Sequence, residues 1–450
     1  MRSGQGGATR RSWLLRLCTE AWCGQRVPPA WHSQIVALIH KKGNPADCGN
    51  YRPICLLNAA YKIFAMIILK RLLKAGANEK IWSSQFGFRP CRSTENALHV
   101  ARRAIEQTWA HRNAKMHMLA VDWRKAFDSI NPAALLDALR RFGLPAHVLR
   151  VVGSIYIDRI FRVKDCGETS DSRNQNSGIC QGCPLSPFLF IIVMSFLMGD
   201  ARKLLSPAAQ QAIDSGSLRD LLYADDTIVI GESAELVAEY GRAIETAGAT
   251  YGMSLHWGKT QALSICTHDC IQQLDGTLIE EKGSIEYLGA LLSADGRVDS
   301  EISRRIGTAT GDFRRLQKLW NHASVAVADK PYYFRTLILS RLQYGLSTIC
   351  LVTAQRRRLD GFYARCLRKI MRIPSAYISR VSNAIVLDRA GEQPFSHQLL
   401  RRQLLLLGKI SLAPTGSPLR DSTFIPGTLL PQVGRFVRRV GRPGRIGARR

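Results

Sequence analysis

The sequence predicts a mixed α/β (α+β) fold joined to a helical region, on three observations. Between Trp31 and about Ile265, short apolar runs alternate with helical periodicities. After about residue 300 the pattern turns to basic amphipathic helices with no strand of comparable strength. The run "LLYADDTIVI" at 221–230 has the form of a β-hairpin, yet adjacent carboxylates, Asp225 and Asp226, break its middle. With 450 residues, 46% of them hydrophobic, the chain has material for two or three domains and a sizeable core.

The elements follow in order. "SQIVALIH" (33–40) is a strand, followed by the turn-rich basic link "KKGNPADCGN". "YKIFAMIILKRLLKAG" (61–76) is a helix that Gly76 stops, and "MHMLAVDW" (116–123) is a buried strand. Pro132 opens a helix over 132–144. Residues 185–205 are apolar all round, which marks a central helix. After the hairpin, Leu236, Val237, Tyr240, Ile244, Ala247 and Tyr251 recur at helical spacing, with Ser233 as N-cap and Gly252 as stop. Strand, helix, helix, strand–turn–strand, helix, strand fits a split β-α-β layer of ferredoxin-like arrangement.

Sixty-three Lys and Arg against 35 Asp and Glu leave a formal charge of +28. Such an excess calls for a polyanionic partner, nucleic acid before an anionic membrane. No stretch reaches the roughly 18–20 apolar residues of a spanning helix, and "FLFIIVMSFLM" (188–198) reads as a buried helix instead. The twelve cysteines suggest buried thiols more than a disulfide framework. Cys180-Gln-Gly-Cys183 has no second pair at zinc-site spacing, and Cys266-Thr-His-Asp-Cys270 lacks a fourth ligand.

Two negative charges inside an apolar hairpin are costly without something positive beside them. Asp122 ends the strand "MLAVD". If the two strands share a sheet, Asp122 and Asp225 converge at one end. Carboxylates so placed suit a pair of Mg²⁺ ions, hard cations that keep waters for substrate phosphates. Two metals about 3.5–4 Å apart activate an attacking hydroxyl and stabilise a leaving oxygen. An Asp-Asp turn taken alone is most often a solvated turn.

Several stretches together carry a family resemblance. "LAVDWRKAFDSI" (119–130), "SGICQGCPLSPFLF" (177–190) and "YADD" (223–226) resemble the successive palm motifs of reverse transcriptases. "ALIHKKGNPADCGNYRPICLLNAAYKI" and "SQFGFRPCRSTENAL" (84–98) resemble non-LTR (LINE-type) retrotransposon enzymes. "SLHWGKTQAL" (254–263) and "EYLGALLSADG" (286–296) are similar to the downstream motif and the primer-holding stretch, and "RTLILSRLQYGLSTICL" and "RRLDGFYARCLRKIMRI" to the thumb pattern. The match runs in the right order over about 31–390.

The resemblance implies a right-hand polymerase. The expected division is a basic lead-in (1–30), fingers and a ferredoxin-like palm (31–299), a helical thumb-like region (300–410) and a disordered basic tail (411–450), the last 20 residues of which hold seven Arg and no acid. It also implies roles. Asp122, Asp225 and Asp226 are the metal-ligand set for two Mg²⁺ ions, with Mn²⁺ as a substitute. Phe127 lies under the incoming sugar and excludes a 2′-hydroxyl. Gln181 and Gly182 form the turn that meets nucleotide and template, where a glycine lets backbone approach a substrate. Lys41, Lys42 and Arg52 face the triphosphate, and Lys259 protonates the departing pyrophosphate. Basic helices such as those carrying Arg304, Arg305, Arg365, Arg368 and Arg372 grip the phosphates of a primer–template duplex.

The activity so implied is RNA-directed DNA polymerisation from a DNA primer with deoxynucleoside triphosphates, in nucleus or cytoplasm. The sequence leaves the oligomeric state open. Cys91 stands where the family has Gly, and Cys180 where Arg or Pro is common. No endonuclease pattern is recognisable, so the chain reads as a fragment of a longer element protein. Two other readings stay open: a catalytically inactive nucleic-acid-binding relic, and a group II intron-type reverse transcriptase and maturase.

Overall fold

The computed structural model describes residues 5–273, 276–322 and 324–432. Its strands, in chain order, are β1 (Ser33–His40), β2 (Tyr51–Leu56), β3 (Met116–Val121), β4 (Ile160–Asp165), β5 (Glu168–Thr169), β6 (Arg173–Asn174), β7 (Leu218–Tyr223), β8 (Asp226–Gly231), β9 (Gln261–Ile265), β10 (Ser284–Tyr287) and β11 (Ala290–Ser293). The chain folds into two compact units. One is built from the chain up to Arg92, Leu119–Thr260 and Ile271–Ile279; the other from Ser93–Met118, Gln261–Cys270 and the chain from Glu280 onward.

In the first unit, β1 and β2 pair antiparallel from Ile35↔Leu56 to His40↔Tyr51. On its other side β1 pairs with β4 in parallel, Ser33 against Ile160. This second partner, with the short β5 and β6, has no counterpart in the sequence reading, because its pairing is non-local.

The hairpin appears as expected: β7 and β8 pair antiparallel from Leu218↔Gly231 to Tyr223↔Asp226. The strand order β7-β8-β3-β9 is the ferredoxin-like one; β3 belongs to the first unit from Leu119 on and to the second up to Met118. Two helices support this sheet. Ser186–Lys203 has Pro187 in its first turn and is buried along most of its length, as an all-apolar helix must be. Ala234–Thr250 packs against it, and the Ser233 side chain accepts from Leu236 N at the N-cap. Gly241 and Gly248 let this helix approach β3 and its extension closely. A Cβ on Gly241 would lie 2.9 Å from the Leu119 side chain, and one on Gly248 2.7 Å from the Trp123 ring.

Asp220, buried in β7, is fully partnered. It accepts from Trp82 Nε1 at 2.7 Å, Arg202 Nη2 at 2.7 Å, Tyr240 Oη at 2.9 Å and Ser84 Oγ. Residues 1–30, read as an unpatterned lead-in, contain a helix, Gln5–Cys23.

The second unit holds the helix Thr94–Ala110, the β10–β11 hairpin and the helices that follow it. Its core collects Phe313, Trp320, Phe334, Tyr363 and Phe395. Three of the expected phosphate-gripping arginines are committed inside this unit. Arg304 and Arg305 both bind Glu301 and Gly289 O. Arg368 is buried against Asn383, Val381 O and Pro374 O. Arg365 and Arg372 remain exposed. The stretch after 411 also begins with structure: a helix at Pro418–Asp421, and Thr423 fully buried with its hydroxyl 2.7 Å from His99 Nε2. The Arg-rich end, 433–450, lies outside the described residues. All twelve cysteines are free, as expected of a chain without a disulfide framework, though seven of the thiols are exposed and only five buried. No helix among the described residues is long and apolar enough to cross a membrane.

Candidate active site

The site assembles entirely within the first unit. Asp122 directly follows β3, and its backbone carbonyl accepts from His256 N at 2.7 Å. Next to β3 runs β8, which begins at Asp226. The end of β3 and the β7–β8 turn therefore present their acids together. The turn itself is Ala224-Asp225, with Ala224 at φ 58°. Positive φ is unusual for alanine, and first turn positions of this kind favour glycine.

The electrostatics follow from this arrangement. Burial pushes the Asp225 carboxyl above its ordinary value; its own backbone hydrogen bond opposes this, the Asp122 charge adds to it and the Arg52 charge reduces it. Asp226 opens to solvent on one side, yet the surrounding protein, then Asp225 and Asp122, push its carboxyl up to about 6. Lys259 Nζ stands 3.9 Å from Asp122 Oδ2, both side chains being largely solvated. A pair so exposed contributes little to stability.

No three His, Cys, Asp or Glu side chains among the described residues form a ready-made metal cluster. The three acids nonetheless suit a Mg²⁺-type ion. Such ions are held by one or two carboxylates, with waters and substrate phosphates completing the shell, and not by an all-protein cage. Their mutual repulsion is what a bound cation would relieve.

Phe127 lies half-buried with its ring stacked on Phe190 at 4.3 Å and 9°, and edge-on to Phe88 at 6.1 Å. Gln181 reaches this element through its amide, which donates to Asp128 Oδ1 at 2.9 Å. Its carbonyl accepts from Cys55 N of β2 at 2.7 Å. Gly182 has φ 123°, and a Cβ there would sit 2.6 Å from Cys55 O, so the turn requires glycine. Arg52 projects from β2 within electrostatic range of Asp225, and Lys41 within range of Asp128. Lys42 is exposed in the same β1–β2 connection and makes no ion pair with these acids among the described residues.

Three contributors went unassigned in the sequence. Asp128 holds the Gln181 amide. Burial raises its carboxyl, while that amide, Lys125 and Lys41 lower it. Arg159, buried without a carboxylate, binds Gln34 and Cys180 beneath the 181–182 turn. Gln85 holds the hairpin turn. None gave a signal of its own: Asp128 and Gln85 are polar residues inside the family-like stretches 119–130 and 84–98, and Arg159 lies outside them.

A ferredoxin-like sheet that gathers acids from a strand end and a neighbouring hairpin turn is the palm of a right-hand polymerase. The chain belongs to the reverse transcriptase (RNA-dependent DNA polymerase) family, which it matches over residues 39–292, and its relatives place it in the non-LTR branch. It is 25% identical over 79% of its length to the transposon TX1 uncharacterized 149 kDa protein of Xenopus laevis, covering 26% of that protein. It is 24% identical over 70% of its length to a probable RNA-directed DNA polymerase from transposon BS of Drosophila melanogaster, covering 40%. With the Pol polyprotein of retrotransposable element R2 from Popillia japonica it shares 23% identity over 78% of its length, covering 49%. The chain thus spans a quarter to a half of these relatives. A solved Candida tropicalis telomerase, in complex with a fragment of telomeric RNA, aligns at TM-score 0.45 and 14% identity over 90% of this chain and 66% of that one.

Proposed function

We propose that this chain is an RNA-directed DNA polymerase of retrotransposon origin, extending a DNA primer on an RNA template with deoxynucleoside triphosphates. The observation that carries this reading is the convergence of Asp122, Asp225 and Asp226 within the region that matches the family. Two Mg²⁺ ions held there would lower the pKa of the primer 3′-hydroxyl and neutralise charge on the phosphates. The hydroxyl gives up its proton to solvent, its oxygen bonds to the α-phosphorus as the bond to pyrophosphate breaks, and Lys259 supplies a proton to the leaving oxygen. Arg52 and Lys41 bind the triphosphate. Phe127, fixed by Phe190, is the floor under the sugar. Residues 31–299 serve as fingers and palm, and 300–410 as the thumb, whose exposed Arg365 and Arg372 remain for the duplex backbone.

The test is primer extension on an RNA template with Mg²⁺, beside a chain carrying Asp225→Ala and Asp226→Ala. Extension by the wild type, lost in the double variant while primer–template binding persists, supports the reading. A folded wild type that binds primer–template without extending it would favour an inert binding protein.

A further inference from the structure

Asp225 depends on Ala224, and the backbone of Ala224 is held by one side chain. Gln85 is 1% exposed, and its carboxamide takes both polar groups of that residue. Ala224 N donates to Gln85 Oε1 at 2.7 Å, and Gln85 Nε2 donates to Ala224 O at 3.1 Å. The same Oε1 accepts from Gly87 N at 2.8 Å. The amide thus extends the ladder one residue past the end of β7, with a side chain doing what a neighbouring strand would do. Below it, true backbone bonds fix the segment: Leu222 N donates to Ser84 O at 3.0 Å and Phe86 N to Leu222 O at 2.8 Å.

The fit is tight. A Cβ on Gly87 would run into the Ala224 backbone, so this segment lies against the turn itself. Alanine at φ 58° is strained and persists only where its surroundings over-determine it. No backbone partner beyond β8 is needed to explain this, because the carboxamide occupies donor and acceptor together. A buried, fully used amide also has little rotational freedom left, so the turn inherits its rigidity.

We propose that Gln85 is a positioning residue for the metal-binding carboxylate: it holds Ala224 in its positive-φ conformation and thereby aims Asp225. The proposal rests on the polymerase reading only for what Asp225 does once aimed. Gln85 itself touches neither substrate nor metal.

Gln85→Met matches the side chain's length and removes all three hydrogen bonds. Gln85→Glu keeps the two accepted N–H bonds and loses the one donated to Ala224 O. Three measurements apply to each purified chain: Mn²⁺ binding by electron paramagnetic resonance, the Mg²⁺ half-saturation of primer extension, and primer–template affinity. For Gln85→Met, Mn²⁺ affinity should fall roughly 10–100-fold, as for other residues that orient ligands. A misplacement of about 1 Å should cost kcat on the order of 100-fold. The Mg²⁺ requirement should rise, the KM for nucleotide and the primer–template affinity should stay level, and Gln85→Glu should fall between. A Gln85→Met chain with wild-type Mn²⁺ affinity and Mg²⁺ half-saturation overturns the proposal, even if it melts earlier. Should that variant not fold, Gln85→Glu decides alone, and unchanged metal binding in it is the overturning result. Wild-type chain that binds Mn²⁺ without extending primers would sink the polymerase reading and leave the Mn²⁺ comparison to judge Gln85; chain that binds no Mn²⁺ overturns both.

Discussion

Asp220 and Asp225 sit on one hairpin, five residues apart, and are treated in opposite ways. Asp220 is buried and answered by Trp82, Ser84, Arg202 and Tyr240. Asp225 is surrounded by protein and meets two more acids, with Arg52 acting on it only at a distance. A carboxylate that serves the fold is given its donors from the same chain. Asp225 has a backbone hydrogen bond but no neighbouring cation in contact, and on the proposed function an incoming metal ion would relieve the repulsion among the three acids. On that reading, the partners of an acid separate a structural from a functional one more sharply than burial does.

Exchanging the charge at each position sharpens the contrast. Asp225→Asn should cut extension on the order of 10²–10³-fold, since it removes electrostatic stabilisation at the reacting phosphate, with the melting temperature held or raised. Asp220→Ala should do the reverse. Breaking a buried pair costs about 3–5 kcal/mol, read by urea denaturation, while activity per folded molecule survives. If Asp220→Ala abolishes extension in folded chain, the two acids are not the separate kinds described here.

Arg141 and Asp200 offer an intermediate case. The guanidinium bonds Asp200 at 2.6 and 2.7 Å, and Tyr251 Oη adds a bond at 2.7 Å. Arg141 first, then Tyr251 and Lys203, hold the Asp200 carboxyl well below its ordinary value, against a smaller opposing effect of burial. A depressed carboxyl stabilises the fold above its unfolded pKa and loses that contribution as pH falls towards its folded one. Asp200→Asn should therefore cost about 1–2 kcal/mol at neutral pH, with the gap to wild type closing as the pH drops below the ordinary value of 3.8. A gap that stays constant down to pH 2 would show that the ion pair is not its source.

The smallest effect carries the opposite sign. The Asp226 carboxyl is raised, from 3.8 to about 6, so its contribution is fully present below 3.8 and lost as pH rises through 6. Metal-free Asp226→Asn should melt slightly above the wild type at pH 7.5, and the two should converge below pH 4. A divalent ion should then stabilise the wild type more than the variant. Equal melting at every pH would mean that the acids do not strain the free protein.

Locally encoded features were legible in the sequence. Pro132, Ser233 and Gly76 mark element ends through their own backbone chemistry, and the structure places helix boundaries beside each of them. The hairpin and its acids were legible because two apolar strands flank an otherwise unaffordable charge pair. Features that depend on distant partners were not. The parallel β1–β4 pair has no local signature. Gln85 looks like any polar loop residue until Ala224 is seen against it. Arg304, Arg305 and Arg368 read as phosphate-gripping charge for a duplex, since nothing nearby in sequence announces Gly289 O or Val381 O as their acceptors. Thr423 looks like tail until His99 is found beside it.

The parallel pairing of β1 with β4 bears on how the chain reaches this state. Ser33 and Ile160 are neighbours in space but more than a hundred residues apart in sequence. A ribosome must have released both before that edge can close. Until then β1 has only the β2 hairpin for company, with Ile35, Ile39 and Leu56 open to water even in the finished fold. Pairing across such a separation is slow, because the chain entropy of the loop is lost before any ladder bond compensates. The newly made chain thus carries an unpaired, apolar strand edge while the more than a hundred residues between the two strands are made. That edge is where a chaperone would be needed, and where overproduced protein would first aggregate.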